Sequence, residues 1–224
     1  MVKTTNTPKS TPKSTPTKTR VKIAFDIDFT MTTDDNYNKV FGELYPGFDV
    51  KKHYTHYPIE HSLFHHGFIP SLPSDEGYAS FIVYQNRTLE IFGKSPLEPW
   101  FLHVYNQIKD DPSIEIFFIT ARNPKFEHAT HELFSQYNLP TSNLYHIGGY
   151  HKEELISEHG IHAIFEDNLA TVKKIADVVP HCHSFLVDRL YNQDSTLNPE
   201  RITRFSPNLE PSVVFDMVAD KLNL

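Results

Sequence analysis

The sequence predicts an α/β fold: a Rossmann-like parallel sheet flanked by helices, with an insertion after the first strand. Three observations carry this. Short β-branched or aromatic runs alternate with stretches of helical periodicity from residue 94 onward, the pattern of a parallel sheet covered on both faces. Polar and acidic residues stand just past the ends of three such runs, at Asp26 and Asp28, at Thr120, and at Glu166 and Asp167. Ligands of parallel sheets sit beyond the carboxyl ends of the strands. Between the first run and the first helical stretch lie some sixty residues, 34–93, where a direct strand-to-helix connection takes only about 2–6.

Residues 1–20 repeat Thr-Pro-Lys-Ser and hold Lys3, Lys9, Lys13, Lys18 and Arg20 without an acid, so they carry +5. So apolar-poor a stretch cannot offset its ordering entropy and reads as a disordered basic tail. It has no apolar core of a secretory signal. The other 204 residues carry −12, which argues against broad nucleic-acid binding by the folded body. A basic arm for a polyanion stays open for the tail alone. Mean hydropathy is −0.42. No apolar run approaches the roughly 18 residues of a membrane helix. A single cysteine, Cys182, excludes an internal disulfide and suits a reducing, cytoplasmic setting. The fourteen histidines are scattered; His65-His66, His181 and His183 come without a ligand set.

Val21 to Phe25 is the first buried strand, and Asp26 and Asp28 follow it. Residues two apart in extended chain face the same way, so both carboxylates are expected in one small volume. Two such charges about 4 Å apart repel by roughly 4 kcal/mol at an effective dielectric near 20. A cation, a shared proton or a substrate is needed to justify the pair. Residues 34–93 are aromatic-rich, with Tyr37, Phe41, Tyr45, Phe64 and Tyr84 among them, and Pro46, Pro58, Pro70 and Pro73 break them into short pieces. They read as an insertion with structure of its own. Its aromatics form a small core or stack on a planar ligand, and the sequence does not separate the two.

Leu97, Trp100, Phe101, Val104, Tyr105 and Ile108 mark one face of a helix within 96–109. Strands follow at 114–119, 144–147, 161–165 and 184–187. Helices are expected at 126–137, 151–159, 169–178 and 212–222. Residues 188–208 read as irregular.

Asp26-Ile27-Asp28-Phe29-Thr30 resembles motif I of the haloacid dehalogenase-like phosphohydrolases, Asp-x-Asp-x-Thr after an apolar run. Phe29 departs from the pattern, which usually has glycine there. Phe117 to Thr120 resembles motif II, Lys152 the motif III lysine, and Glu166-Asp167 the acidic pair of motif IV. The resemblance implies an Asp26 nucleophile forming an aspartyl-phosphate, and Asp28 as proton donor and then base. It implies phosphate binding by Thr120 and Lys152. It implies Mg²⁺ held by Asp26, Asp167 and the main-chain carbonyl of Asp28, with Glu166 in support. An insertion after motif I is, in that family, a cap over the site. This divides the chain into a tail at 1–20, a core at 21–33 and 94–224, and a cap at 34–93.

Phe185 to Asn192, followed by Arg201-Ile202, is similar to the 5′(3′)-deoxyribonucleotidases. Asn192 and Arg201 are then loop residues near the site, or else structural turns. The leading expectation is a Mg²⁺-dependent phosphomonoesterase, most specifically a 5′-nucleotidase, with a small phosphate ester as partner and no membrane. A nucleic-acid end phosphatase using the tail is the alternative. A non-catalytic phosphate-binding module is the alternative of another class; it has no need of both a nucleophile and a proton donor.

Overall fold

The computed structural model describes residues 20–44, 87–148, 151–189, 192–193 and 196–224. The tail and most of the insertion, with Tyr45, Phe64 and Tyr84, lie outside these residues.

Among the described residues, six parallel strands form one sheet: β1 (Val21–Phe25), β2 (Ile114–Thr120), β3 (Leu144–His146), β4 (Ala163–Glu166), β5 (His183–Val187) and β6 (Ile202–Phe205), in the order β3-β2-β1-β4-β5-β6. The helices are α1 (Asp35–Leu44), α2 (Thr88–Ile91), α3 (Pro99–Ile108), α4 (Glu127–Gln136), α5 (Lys152–His159), α6 (Leu169–Val178) and α7 (Pro211–Leu222). β6 corrects the expectation that 188–208 is irregular. It is a four-residue edge strand whose interior holds Thr203 and Arg204, with only Ile202 and Phe205 buried, too short a run to stand out by alternation.

Alternation along each strand sends neighbours to opposite faces. Phe25, Phe118, Phe165 and Phe185 face α3, α4 and α7, together with Trp100, Phe101, Phe134 and Val214. Ala24, Phe117, Ile119 and Ile164 face α5 and α6 with Ile156 and Ile175. The four phenylalanines are in register on adjacent strands. Phe165 stacks on Phe25 with centroids 4.7 Å apart and on Phe185 at 4.8 Å. Trp100 covers Phe165 from the helix side at 5.2 Å. Such pairs add about 0.5–1.5 kcal/mol each beyond their burial. This aromatic ladder ends one residue short of the polar face: Asp26 follows Phe25, and Glu166 follows Phe165.

The two ends of the inserted segment lie side by side. Thr32 and Leu97 form an antiparallel bridge. The Thr33 amide donates to Pro96 O at 2.9 Å and the Glu98 amide to Met31 O at 2.9 Å. The chain therefore leaves and re-enters the core at one place. The described parts of the insertion associate: Asn36 Nδ2 of α1 donates to Glu90 O of α2 at 2.8 Å, and Arg87 pairs with Glu43 at 2.6 Å.

Candidate active site

β1 ends at Phe25. Asp26 is still extended (φ −71°, ψ 159°), but the chain then turns tightly through Ile27–Met31, and Phe29 takes a left-handed backbone (φ 56°, ψ 1°). The unusual residue in motif I thus occupies a conformation that favours glycine. The turn is closed by Thr32, whose hydroxyl donates to Ile27 O at 3.0 Å and whose amide reaches the same carbonyl at 3.1 Å. From outside, the Arg189 Nε donates to the Phe29 carbonyl at 2.8 Å while its Nη2 pairs with Glu98 at 2.7 Å.

The two aspartates remain near enough to feel one another, as extended chain implies: after burial and the Glu166 and Asp167 charges, the Asp28 charge also raises the Asp26 carboxyl. Each has its own cation. Asp26 pairs with the Lys152 ammonium at the start of α5. The Asp28 carboxylate is held by Arg122, Nε to Oδ2 at 2.9 Å and Nη2 to Oδ1 at 2.8 Å. Lys152 also reaches Glu166 Oε2 at 2.6 Å, and Glu166 Oε1 accepts the Asn168 amide at 3.0 Å. Thr30 Oγ1 lies 3.1 Å from Asp26 Oδ2 and 2.9 Å from Asp167 Oδ1, tying the first strand's loop to the fourth's. Thr120 ends β2; its hydroxyl accepts the Arg122 amide at 3.2 Å and keeps its own proton to donate.

Asp26, Glu166 and Asp167 each offer a carboxylate oxygen within 4.8 Å of the others, and all three are buried. Asp28 contributes no carboxylate to this group. Glu166 is the third carboxylate, and the resemblance gives Asp28 only its main-chain carbonyl. Of these three, Asp26 and Glu166 share the Lys152 ammonium. Burial and the neighbouring Glu166 push the Asp26 carboxyl well above the usual aspartate range, although Lys152 opposes them. Burial alone would lower Lys152, but Asp26 and Glu166 outweigh it and raise the ammonium above its ordinary value. The donors are three converging hard oxygens, which fits a small divalent cation such as Mg²⁺. A second cluster among the described residues, His151, Glu153 and Glu154, lies on the surface side of α5. There the Lys174 ammonium sits 2.5 Å from Glu153.

Asn192 is fully buried, and its Nδ2 donates to the carbonyls of Asp167 at 2.8 Å and Val187 at 2.7 Å. It holds the ends of β4 and β5 together beneath the site. Arg201 is a correction to the near-site reading. It precedes the amino end of β6, and its Nη2 donates to Val179 O at 2.6 Å and Cys182 O at 3.0 Å, so it is a structural residue. Sequence reasoning missed Arg122, Arg189 and Glu98. The signal for Arg122 was its place two residues past Thr120, on the face where ligands bind.

No protein-family profile matches this sequence, and no curated protein does. Solved structures do match. A haloacid dehalogenase-like hydrolase from Streptococcus pneumoniae superposes with a TM-score of 0.60 at 14% identity, covering 89% of this chain and 98% of its own. A haloacid dehalogenase family hydrolase from Deinococcus radiodurans R1, with bound phosphate and sodium, has a TM-score of 0.56 at 11% identity, with 92% and 97% coverage. A protein described as a phosphoglycolate phosphatase from Lactobacillus plantarum has a TM-score of 0.55 at 11% identity, with 89% and 99% coverage. The fold is therefore that of the haloacid dehalogenase-like hydrolases, a parallel Rossmann-like sheet between two layers of helices. No helix among the described residues is long and apolar enough to cross a membrane.

Proposed function

We propose that this chain is a Mg²⁺-dependent phosphomonoesterase working through an aspartyl-phosphate. The observation that carries the reading is the convergence on Asp26: a buried carboxylate at a strand end, paired with Lys152 and within reach of Thr30 and the Asp167 carboxylate. Asp26, Asp167 and the Asp28 carbonyl would hold Mg²⁺, which supplies the positive charge that lets a carboxylate approach a phosphate dianion.

The remaining chemistry belongs to the side chains. A carboxylate oxygen of Asp26 attacks phosphorus, a P–O bond to Asp26 forms, and the ester P–O bond breaks. Asp28 gives its proton to the departing alkoxide. Water then attacks the phosphoryl group, its proton passes to Asp28, and the Asp26–phosphorus bond breaks. Thr120 and Lys152 bind the phosphoryl oxygens and offset the charge that develops there. Glu166 keeps the Lys152 ammonium beside Asp26, and Asn192 fixes the backbone of Asp167. We propose the division made above: a core at 21–33 and 94–224, and a cap at 34–93 that selects the substrate.

Within this class we propose a nucleoside monophosphate as substrate, on the likeness of Phe185 to Asn192 to the deoxyribonucleotidases. The neighbour described as a phosphoglycolate phosphatase makes a small phosphorylated acid the competing substrate. The test is phosphate release with Mg²⁺ from deoxy- and ribonucleoside 5′- and 3′-monophosphates, phosphoglycolate, a sugar phosphate and end-phosphorylated oligonucleotides. Asp26→Asn runs in parallel. Turnover concentrated on mononucleotides and lost in the variant supports the reading. Preference for oligonucleotide ends moves it to nucleic-acid repair, with a use for the basic tail. Near-normal turnover by Asp26→Asn would sink it.

A further inference from the structure

Arg122 joins three parts of the molecule. Its Nε and Nη2 hold both oxygens of Asp28. Its Nη1 donates to Thr130 Oγ1 of α4 at 3.0 Å, and that hydroxyl also meets His146 Nε2 at 2.9 Å. The ring of Phe92 lies over the guanidinium, 4.3 Å from centroid to carbon. Phe92 belongs to the segment by which the insertion returns to the core. Its neighbour Gly93 is seated against backbone: a Cβ there would meet Leu89 O at 2.7 Å and Ala129 O at 3.2 Å. Ala129 and Thr130 are consecutive, so one turn of α4 seats the returning chain and holds the guanidinium.

The Arg122 side chain is 1% exposed and that of Asp28 is 14% exposed. A guanidinium so deeply buried cannot reach a substrate, whereas the carboxylate it holds can. Its planar fork defines the plane of that carboxylate, which a point-charge ammonium would not. We propose that Arg122 is the positioning residue for Asp28, and that Phe92 makes the orientation of this proton donor depend on how residues 87–93 are seated. The proposal rests on the phosphatase reading, and it ties the acid to the very stretch where the insertion rejoins the core.

Proton donation matters when the leaving group is a poor one. The test compares kcat/KM, which reports the steps up to ester cleavage, for p-nitrophenyl phosphate and for the alkyl phosphate that the wild type takes best. The full chain is used with Mg²⁺. For Arg122→Gln we expect kcat/KM on the alkyl ester to fall about 100-fold, in the range of general acid catalysis, and on the aryl ester less than about 10-fold. Arg122→Lys should recover part of the alkyl loss. Phe92→Leu, which stays apolar, should shift the alkyl-to-aryl ratio in the same direction by a smaller factor. Adding Arg122→Gln to Asp28→Asn should cost little more than Asp28→Asn alone. Equal losses on both esters, or losses that multiply in the double variant, overturn the positioning role and leave the phosphatase standing. A wild type silent on every ester overturns both. Should Arg122→Gln fail to fold, the ratio measured for Phe92→Leu decides.

Discussion

Phe29 offers a test of backbone strain that does not depend on activity. Its left-handed backbone costs an L-residue roughly 1–2 kcal/mol, and glycine almost nothing. Its side chain is buried, so truncation removes about 3–5 kcal/mol of packing. Phe29→Ala loses the packing and keeps the strain. Phe29→Gly loses the packing and the strain, and adds about 0.5–1 kcal/mol of unfolded-state entropy. Glycine is ordinarily the less stable of the two, by about 1 kcal/mol within a helix or strand. Here the strain term is the larger, so Phe29→Gly should exceed Phe29→Ala by about 0.5–1 kcal/mol, although it is the smaller residue. In a chain of this length that is about 1–4 °C in Tm. Urea unfolding followed by circular dichroism, with both variants under identical conditions, resolves the difference. An alanine variant as stable as the glycine variant, or more so, would show that the turn carries no strain there and refute the reasoning.

Asn192→Ala removes two buried bonds donated to the carbonyls of Asp167 and Val187; we expect a loss of about 2–3 kcal/mol in urea unfolding and weaker Mg²⁺ binding by calorimetry. Gly93→Ala drives a methyl group against the Leu89 and Ala129 carbonyls; the expected result is a lowered Tm together with faster proteolysis at the insertion. His146, His162 and His183 are each held below the usual histidine value, first of all by burial. The unfolded chain therefore takes up protons first as pH falls. Stability should be fully present above the ordinary histidine value of about 6.5 and decline as pH drops from there towards the lowered folded-state values. Denaturation midpoints at pH 7.5, 6.5 and 5.5 check this, and flat midpoints across the series would contradict it.

Most of the core was legible because its signals are local. The buried run at Val21–Phe25 and the helical stretches around Pro99–Ile108 and Leu169–Val178 each lie within a dozen residues. So do the acidic residues directly after strands. What was not legible depends on turns and on partners distant in sequence. Extended-chain geometry put the carboxylates of Asp26 and Asp28 together. It could not show that each carboxylate has a cation of its own, 94 and 126 residues away in the chain. Arg122, Arg189 and Glu98 look like ordinary surface charges in the sequence, and only the packing of β2, the β5 end and the start of α3 shows what they hold. β6 was hidden for the opposite reason: its four residues carry too little pattern to distinguish an edge strand from a loop.

The ladder of rings beneath the site also equips the molecule with an optical probe. Trp100 is the chain's single tryptophan. It is fully buried on Phe165, and its indole N–H has no hydrogen-bond partner among the described residues, so its emission should be blue-shifted while the core is intact. The inserted segment contains no tryptophan. A fluorescence melt therefore follows the sheet and its helices alone, whereas limited proteolysis across 45–86 follows the insertion alone. Coincident midpoints would mean one cooperative unit, and separated midpoints would mean that the insertion opens on its own while the sheet stays folded.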